Sequence, residues 1–213
     1  MFRTENALIL REVRFKESDR ILTALTADSG KMTLAAHGAL SKRSRIAAAT
    51  QQLTYAELTL FEKNGRYAVR EGMTREAFQG LRHEIERFAL GRYFAECLEQ
   101  YAGEDQPESE LMQLGLNCLY ALSEGLAPRE KIKAAFEVRL MAIEGYAPTE
   151  ERTLKLGAEG LQAMQYIVGA PAKKLLSFRI SDQEMKQLGV IAESWLLRCS
   201  ERSFPTLDYY RSL

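Results

Sequence analysis

Lys42, Arg43 and Arg45 put three cations into four positions, with hydroxyls at Ser41 and Ser44 and a glycine at Gly38. That combination suits phosphate: mobile cations meet the charge, and serine hydroxyls and backbone N–H groups donate at short range. A solvated surface loop has the same composition, so the residues alone leave both readings open. Catalytic chemistry has fewer candidates. His37 and His83 are the only imidazoles, and neither has a cysteine or second histidine at ligand spacing, so no metal site is expected. No Gly-x-Ser-x-Gly elbow, GxxxxGK[ST] loop or GxGxxG loop occurs, so acyl transfer, nucleotide hydrolysis and dinucleotide binding lack their frameworks. Acidic pairs such as Glu150-Glu151 lie in charge-rich sequence and read as a solvated face. Binding without catalysis or cofactor is the expectation.

The elements that would carry the cationic loop divide the chain in two. Residues 1–80 hold 13 Lys/Arg against 9 Asp/Glu, and residues 81–213 hold 16 against 20, so a neutral chain hides opposite-signed halves. A surplus of cations in the first half fits a polyanionic partner. Short strands are expected at Ala7–Leu10, Ile21–Thr26, Met32–Ala36 and Gln52–Phe61, the last with period-2 alternation. The hairpin signal Asn64-Gly65 leads into a fifth at Tyr67–Arg70. Five strands in so short a span suggest a small closed barrel of the OB-fold kind, and a loop after a barrel strand lies at the rim where such folds meet single strands.

The remainder reads as helices. Leu81, Ile85, Phe88, Ala95, Leu98 and Ala102 form one apolar stripe, a second helix runs from about Glu108 to Ser123, and a third from Pro128 to about Glu144. Ser181-Asp182-Gln183-Glu184 has the form of a capping box, followed by the stripe Met185, Leu188, Ala192, Trp195, Leu196 and Cys199. The expected class is therefore a segregated α+β protein, an OB-fold barrel over 1–80 and an all-α region over 81–213. Cys97, Cys118 and Cys199 form no CxxC pair and fit a reducing cytoplasm. With neither a signal-peptide core nor an apolar run near the roughly 20 residues of a membrane span, the chain is expected to be soluble, with no membrane partner.

The order of residues is informative beyond composition. Ala35-Ala36-His37-Gly38-Ala39-Leu40-Ser41-Lys42-Arg43-Ser44, with a later Gln51 or Gln52, resembles the RecO family. So do Glu17-Ser18-Asp19-Arg20-Ile21-Leu22 and Thr26-Ala27-Asp28-Ser29-Gly30-Lys31 upstream. Downstream, Phe136-Glu137-Val138-Arg139-Leu140, Gly145-Tyr146-Ala147-Pro148 and the terminal Phe204–Leu213 are similar to that family too. The resemblance implies a DNA-repair recombination mediator that binds single- and double-stranded DNA, anneals strands and acts on DNA covered by single-strand-binding protein. It also implies partnership with RecR and, indirectly, RecA, at the nucleoid in the cytoplasm. Two family cations are missing, since His37 stands for the usual lysine and Leu40 for the usual arginine. Thr149–Gly160 contains no cysteine, so the zinc knob of many relatives is not carried over.

The candidate DNA-binding set is Lys42, Arg43 and Arg45 with His37, Lys31, Arg14 and Arg11, and Arg3 as a further contributor. A second candidate lies on the third helix, where Arg139 falls among the apolar positions. Its plainer reading is an arginine that snorkels or pairs internally, with a glutamate such as Glu96. The functional reading is a cation beside an apolar groove, assisted by Lys131 and Lys133; the resemblance implies that the groove takes the acidic tail of single-strand-binding protein. Trp195 reads as core, and Phe204, Tyr209 and Tyr210 as pins for the last segment. The rival to a DNA-binding mediator is an adaptor whose barrel is structural and whose helices recruit partners.

Overall fold

The computed structural model describes residues 1–146 and 156–213. Ala147, Pro148, Glu150-Glu151 and most of the cysteine-free stretch from Thr149 lie outside the described residues. Five strands, β1 (Phe2–Phe15), β2 (Asp19–Thr26), β3 (Gly30–Ala36), β4 (Tyr55–Lys63) and β5 (Arg66–Glu76), close into a barrel in the order β1-β2-β3-β5-β4. A parallel contact, Leu34 with Tyr67 and Ala35 with Ala68, seals it. Neighbouring strands otherwise run antiparallel, as an OB-fold requires.

The first strand is far longer than the apolar run at its centre. Phe2–Leu8 pairs with β4 and Ala7–Phe15 with β2, and a register shift between Ile9 and Arg11 bends the strand from one neighbour to the other. The continuous run Ala7–Leu10 is buried on both faces. Ala7 and Ile9 point into the barrel with Leu22, Leu34, Leu58 and Leu60, while Leu8 and Leu10 join Leu25 and Leu53 against the helices. Asn64 and Gly65 both have positive φ, the backbone that a two-residue hairpin needs.

Six α-helices follow among the described residues: α1 (Ile85–Tyr101), α2 (Ser109–Glu124), α3 (Arg129–Ile143), α4 (Ala158–Gly169), α5 (Asp182–Ser200) and α6 (Pro205–Arg211). Leu81, expected at the start of the first helix, sits instead in a 3₁₀ turn over Gln79–Arg82. The central helix is α3, buried on nearly every side, including Lys133 and Glu137. Glu137 is fully buried, receives the Tyr93 hydroxyl at 2.8 Å and pairs with Lys133 at 2.7 Å. Trp195 is fully buried and Phe204 nearly so, Tyr210 packs partly buried against the helical core, and Tyr209 is exposed.

The capping box at Ser181 does not form. Ser181 makes no side-chain cap, and the Glu184 carboxylate instead accepts the N–H groups of Gly157 and Gly160 at the start of α4. Glu159 of α4 in turn accepts the Ser181 N–H. The two helix starts cap each other, a tertiary contact that outcompetes the local one.

The barrel is sewn to the helices at Gly30, whose φ of +63° only glycine adopts without strain. Beside it, the Lys31 N–H donates to the Gly103 carbonyl at 2.7 Å and the Glu108 N–H to the Ala27 carbonyl at 2.8 Å. No helix among the described residues is long and apolar enough to cross a membrane.

Candidate nucleic-acid interface

The segment after β3 is a loop held at both ends rather than a free coil. Ala39, Ile46 and Ala49 are buried in the barrel core, so the chain on either side of Lys42–Arg45 is anchored by apolar contact. Gly38 turns with a φ of +67°, and its N–H donates to Asp19 Oδ1 at 2.8 Å. His37 Nδ1–H donates to the other oxygen of the same carboxylate, also at 2.8 Å. These bonds hold the Asp19 carboxyl below the usual range, the Gly38 amide contributing most and His37 next. The Leu40 N–H reaches the Ser18 carbonyl at 2.8 Å. Arg20 clamps the far side, donating to the Ala47 carbonyl at 3.0 Å and to Thr50 Oγ1 at 3.1 Å.

Between these anchors Lys42, Arg43 and Arg45 stand exposed. None of the three forms a hydrogen bond or ion pair among the described residues. Arg14 lies opposite Arg20 across the β1–β2 ladder, and Arg20 lies opposite Ala36, which places Arg14 two strands, about 10 Å, from the start of the loop. Lys16, in left-handed backbone at the β1–β2 turn, holds its ammonium 5.4 Å from the exposed Phe15 ring. One rim of the barrel thus gathers Arg14, Lys16, His37, Lys42, Arg43 and Arg45.

The other candidates are committed elsewhere. Arg11 pairs with Glu99 of α1 at 2.8 Å, a contact that raises its pKa, and Lys31 Nζ donates to the Glu99 carbonyl at 3.0 Å. Arg3 pairs with Glu5 at 2.5 Å and lies over the Tyr67 ring. Among the described residues no group of three or more His, Cys, Asp or Glu is arranged to hold a metal ion. Cys97 and Cys118 are buried free thiols, both pushed up by burial, Cys118 to about 12.

Two family models match the chain in succession. Residues 1–78 match the family described as "Recombination protein O N terminal", and residues 82–206 the family described as "Recombination protein O C terminal". The chain belongs to the RecO family. A RecO-family relative named DNA repair protein RecO, from Acetivibrio thermocellus, is 28% identical over 240 aligned positions, covering 98% of this chain and 96% of that protein. The protein of the same name from Listeria monocytogenes is 30% identical over 145 positions, 68% of this chain and 56% of its own length. One from Desulforamulus reducens is 28% identical over 154 positions, 72% of this chain and 59% of its own.

Within this RecO-family chain the second candidate set is not one site. Lys133 is buried between Glu137 and Glu193, bonded to the latter at 2.8 Å. Arg139 does pair internally, but with the Ala170 carbonyl at the end of α4; Glu96 instead receives the Thr206 N–H of α6 at 3.1 Å. Both Lys131 and Lys133 line a groove of about 850 Å³ between α3 and α5, with Phe178, Ile180, Met185, Val190 and Tyr210, and the less buried of the two is Lys131. Its ammonium donates to the Phe178 carbonyl at 2.7 Å and lies 4.4 Å from that ring's centre. Asp19, Arg20 and Lys16 were missed as site residues in the sequence, although Asp19 and Arg20 sit inside a quoted family segment. Their signal was a motif, and their role is to hold the loop.

Proposed function

We propose that this RecO-family DNA repair protein is a non-catalytic recombination mediator. It binds single- and double-stranded DNA at the barrel rim, anneals complementary strands and, with RecR, helps load RecA onto DNA covered by single-strand-binding protein. It would work in the cytoplasm, at the nucleoid. The observation that carries this reading is the anchored loop with three exposed cations that lack any partner among the described residues, beside Arg14 and Lys16. Cations held in place but left unpaired lose little on meeting phosphate, and counterion release then drives association. Neutralising the phosphates of both strands also lowers the repulsion that opposes annealing.

The acidic tail of single-strand-binding protein is assigned to the α3–α5 groove rather than to Arg139. An apolar trough with Lys131 at its edge suits a short acidic-hydrophobic segment. The adaptor reading draws on the same groove and on the two missing loop cations at His37 and Leu40.

Fluorescence anisotropy with labelled single-stranded DNA across a salt series tests the proposal. The wild type should lose affinity steeply with salt. Replacing Lys42, Arg43 and Arg45 together with alanine should lower the log–log slope by about 2, near 0.7 per lost phosphate contact, and abolish annealing. Full annealing by the triple variant would favour the adaptor.

A further inference from the structure

A cleft of about 760 Å³ lies between the second half of β1, the α1 helix and the segment leading into α6. Its charges are almost all spoken for. Glu99 pairs with Arg11, Glu96 receives the N–H and hydroxyl of Thr206, and Glu12 lies 3.4 Å from Arg20. Lys31 is bound to the Glu99 carbonyl, and Arg202 donates to Gln100 Oε1 at 2.9 Å. Arg92, one turn before Glu96, is the exception. It forms no hydrogen bond or ion pair among the described residues, although its Nε is shut off from water. A buried N–H without a partner is costly, and a guanidinium edge is shaped to receive two oxygens of one anion.

The cleft and the rim share the strand β1. Arg11 lines the cleft, and four residues further along the same strand Phe15 reaches the rim, a distance of about 13 Å. Strand alternation puts Val13 and Phe15 on one face, and both are large apolar side chains left 46% exposed. Apolar and aromatic surface between two cationic points fits extended nucleic acid, whose bases stack while its phosphates pair.

We propose that this cleft is a second phosphate subsite, in which Arg92 takes a phosphodiester of the single strand held at the rim while its bases cross Val13 and Phe15. The proposal rests on the DNA-binding reading above and adds a direction to it. The strand runs along β1 from the rim loop toward the helices, which makes α1 part of the binding surface.

The test uses the full chain and labelled oligothymidylates of about 2 and about 20 nucleotides, bracketing the site sizes of barrel-type binders. With the longer strand, Arg92→Ala should weaken binding roughly tenfold and lower the salt slope by about 0.7. The shorter strand, unable to reach from rim to cleft, should bind both proteins alike. Arg92→Lys should restore the slope on the longer strand, and thermal melting should match the wild type because Arg92 supports no partner among the described residues. A wild-type slope for Arg92→Ala on the longer strand overturns the proposal and leaves the rim untouched. A melting loss that lysine does not rescue overturns it too, by making Arg92 structural. If the wild type binds no strand, or the rim triple variant binds normally, the rim reading itself has failed.

Discussion

Asp19 accepts the backbone N–H of Gly38 at 2.8 Å, so a carboxylate at the start of β2 holds the first turn of the cationic loop. An acidic residue at the heart of a proposed DNA site opposes phosphate by its charge and serves it by its geometry. Asp19→Ala separates the two. It makes the rim more positive, so charge alone predicts tighter DNA binding; loss of the clamp predicts severalfold weaker affinity, because the cationic loop is no longer held. Anisotropy at fixed salt decides. Because the folded carboxyl is depressed, its contribution is present above the unfolded value and is lost only as pH falls through the folded one.

Arg11 and Lys31 should behave as structural cations. Arg11→Ala breaks the pair with Glu99, which costs up to about 1 kcal/mol at a site this exposed and lowers Tm by about 2–4 °C. Its salt slope for DNA should stay at the wild-type value, and a drop of about 0.7 would return Arg11 to the DNA surface.

Glu137 predicts a pH dependence of stability. Burial pushes its carboxyl up to about 7, against 4.5 in the unfolded chain, despite the opposing pull of Lys133. A raised carboxyl contributes stability that is fully present below the unfolded value and is lost as pH rises through the folded one. Stability should therefore fall as pH rises from about 4.5 to about 7 and the buried carboxyl ionises. Glu137→Gln cannot ionise, so melting curves at pH 5 and pH 8 should show the variant gaining on the wild type at the higher pH.

Gly30→Ala should be among the most damaging small changes. A Cβ there would stand 2.3 Å from the Gly103 carbonyl oxygen and 2.7 Å from that of Gln106, on a backbone that disfavours any side chain. A loss of about 2 kcal/mol or more is expected in chemical denaturation. Gly65→Ala, with open space around it, should cost less.

For a synthetic acidic tail peptide, Lys131→Ala should weaken binding roughly tenfold. Arg139→Ala should leave the affinity unchanged and lower Tm, because its partner is the Ala170 carbonyl. The reverse pattern, read by calorimetry and melting, would move the peptide away from the α3–α5 groove.

What could be read in the sequence was local. Alternation over Tyr55–Phe61 and the Asn64-Gly65 turn revealed strands because each depends on neighbours two residues away. The fate of a cation depends on residues far along the chain. Nothing near Arg11 or Lys31 announces Glu99, 88 and 68 positions on, so both resembled DNA contacts as well as Lys42 did. Ser181 and Glu184 carried every local mark of a capping box and lost it to Gly157, a competitor brought by tertiary packing. Arg139 was marked by its place on an apolar face, but its partner at the end of α4 was not legible. Lys133 looked like a surface lysine because the sequence showed no sign that α3 would be enclosed on nearly all sides.

The outward leucines of the barrel have one last consequence. Leu8, Leu10, Leu25 and Leu53 pack into the helical core and not into the lumen. Cleaved near residue 80, the barrel would offer water a greasy seam where α1 had been, and such patches drive self-association. The two halves can be told apart by eye and by motif, yet they ought to melt in a single transition and resist expression as separate pieces.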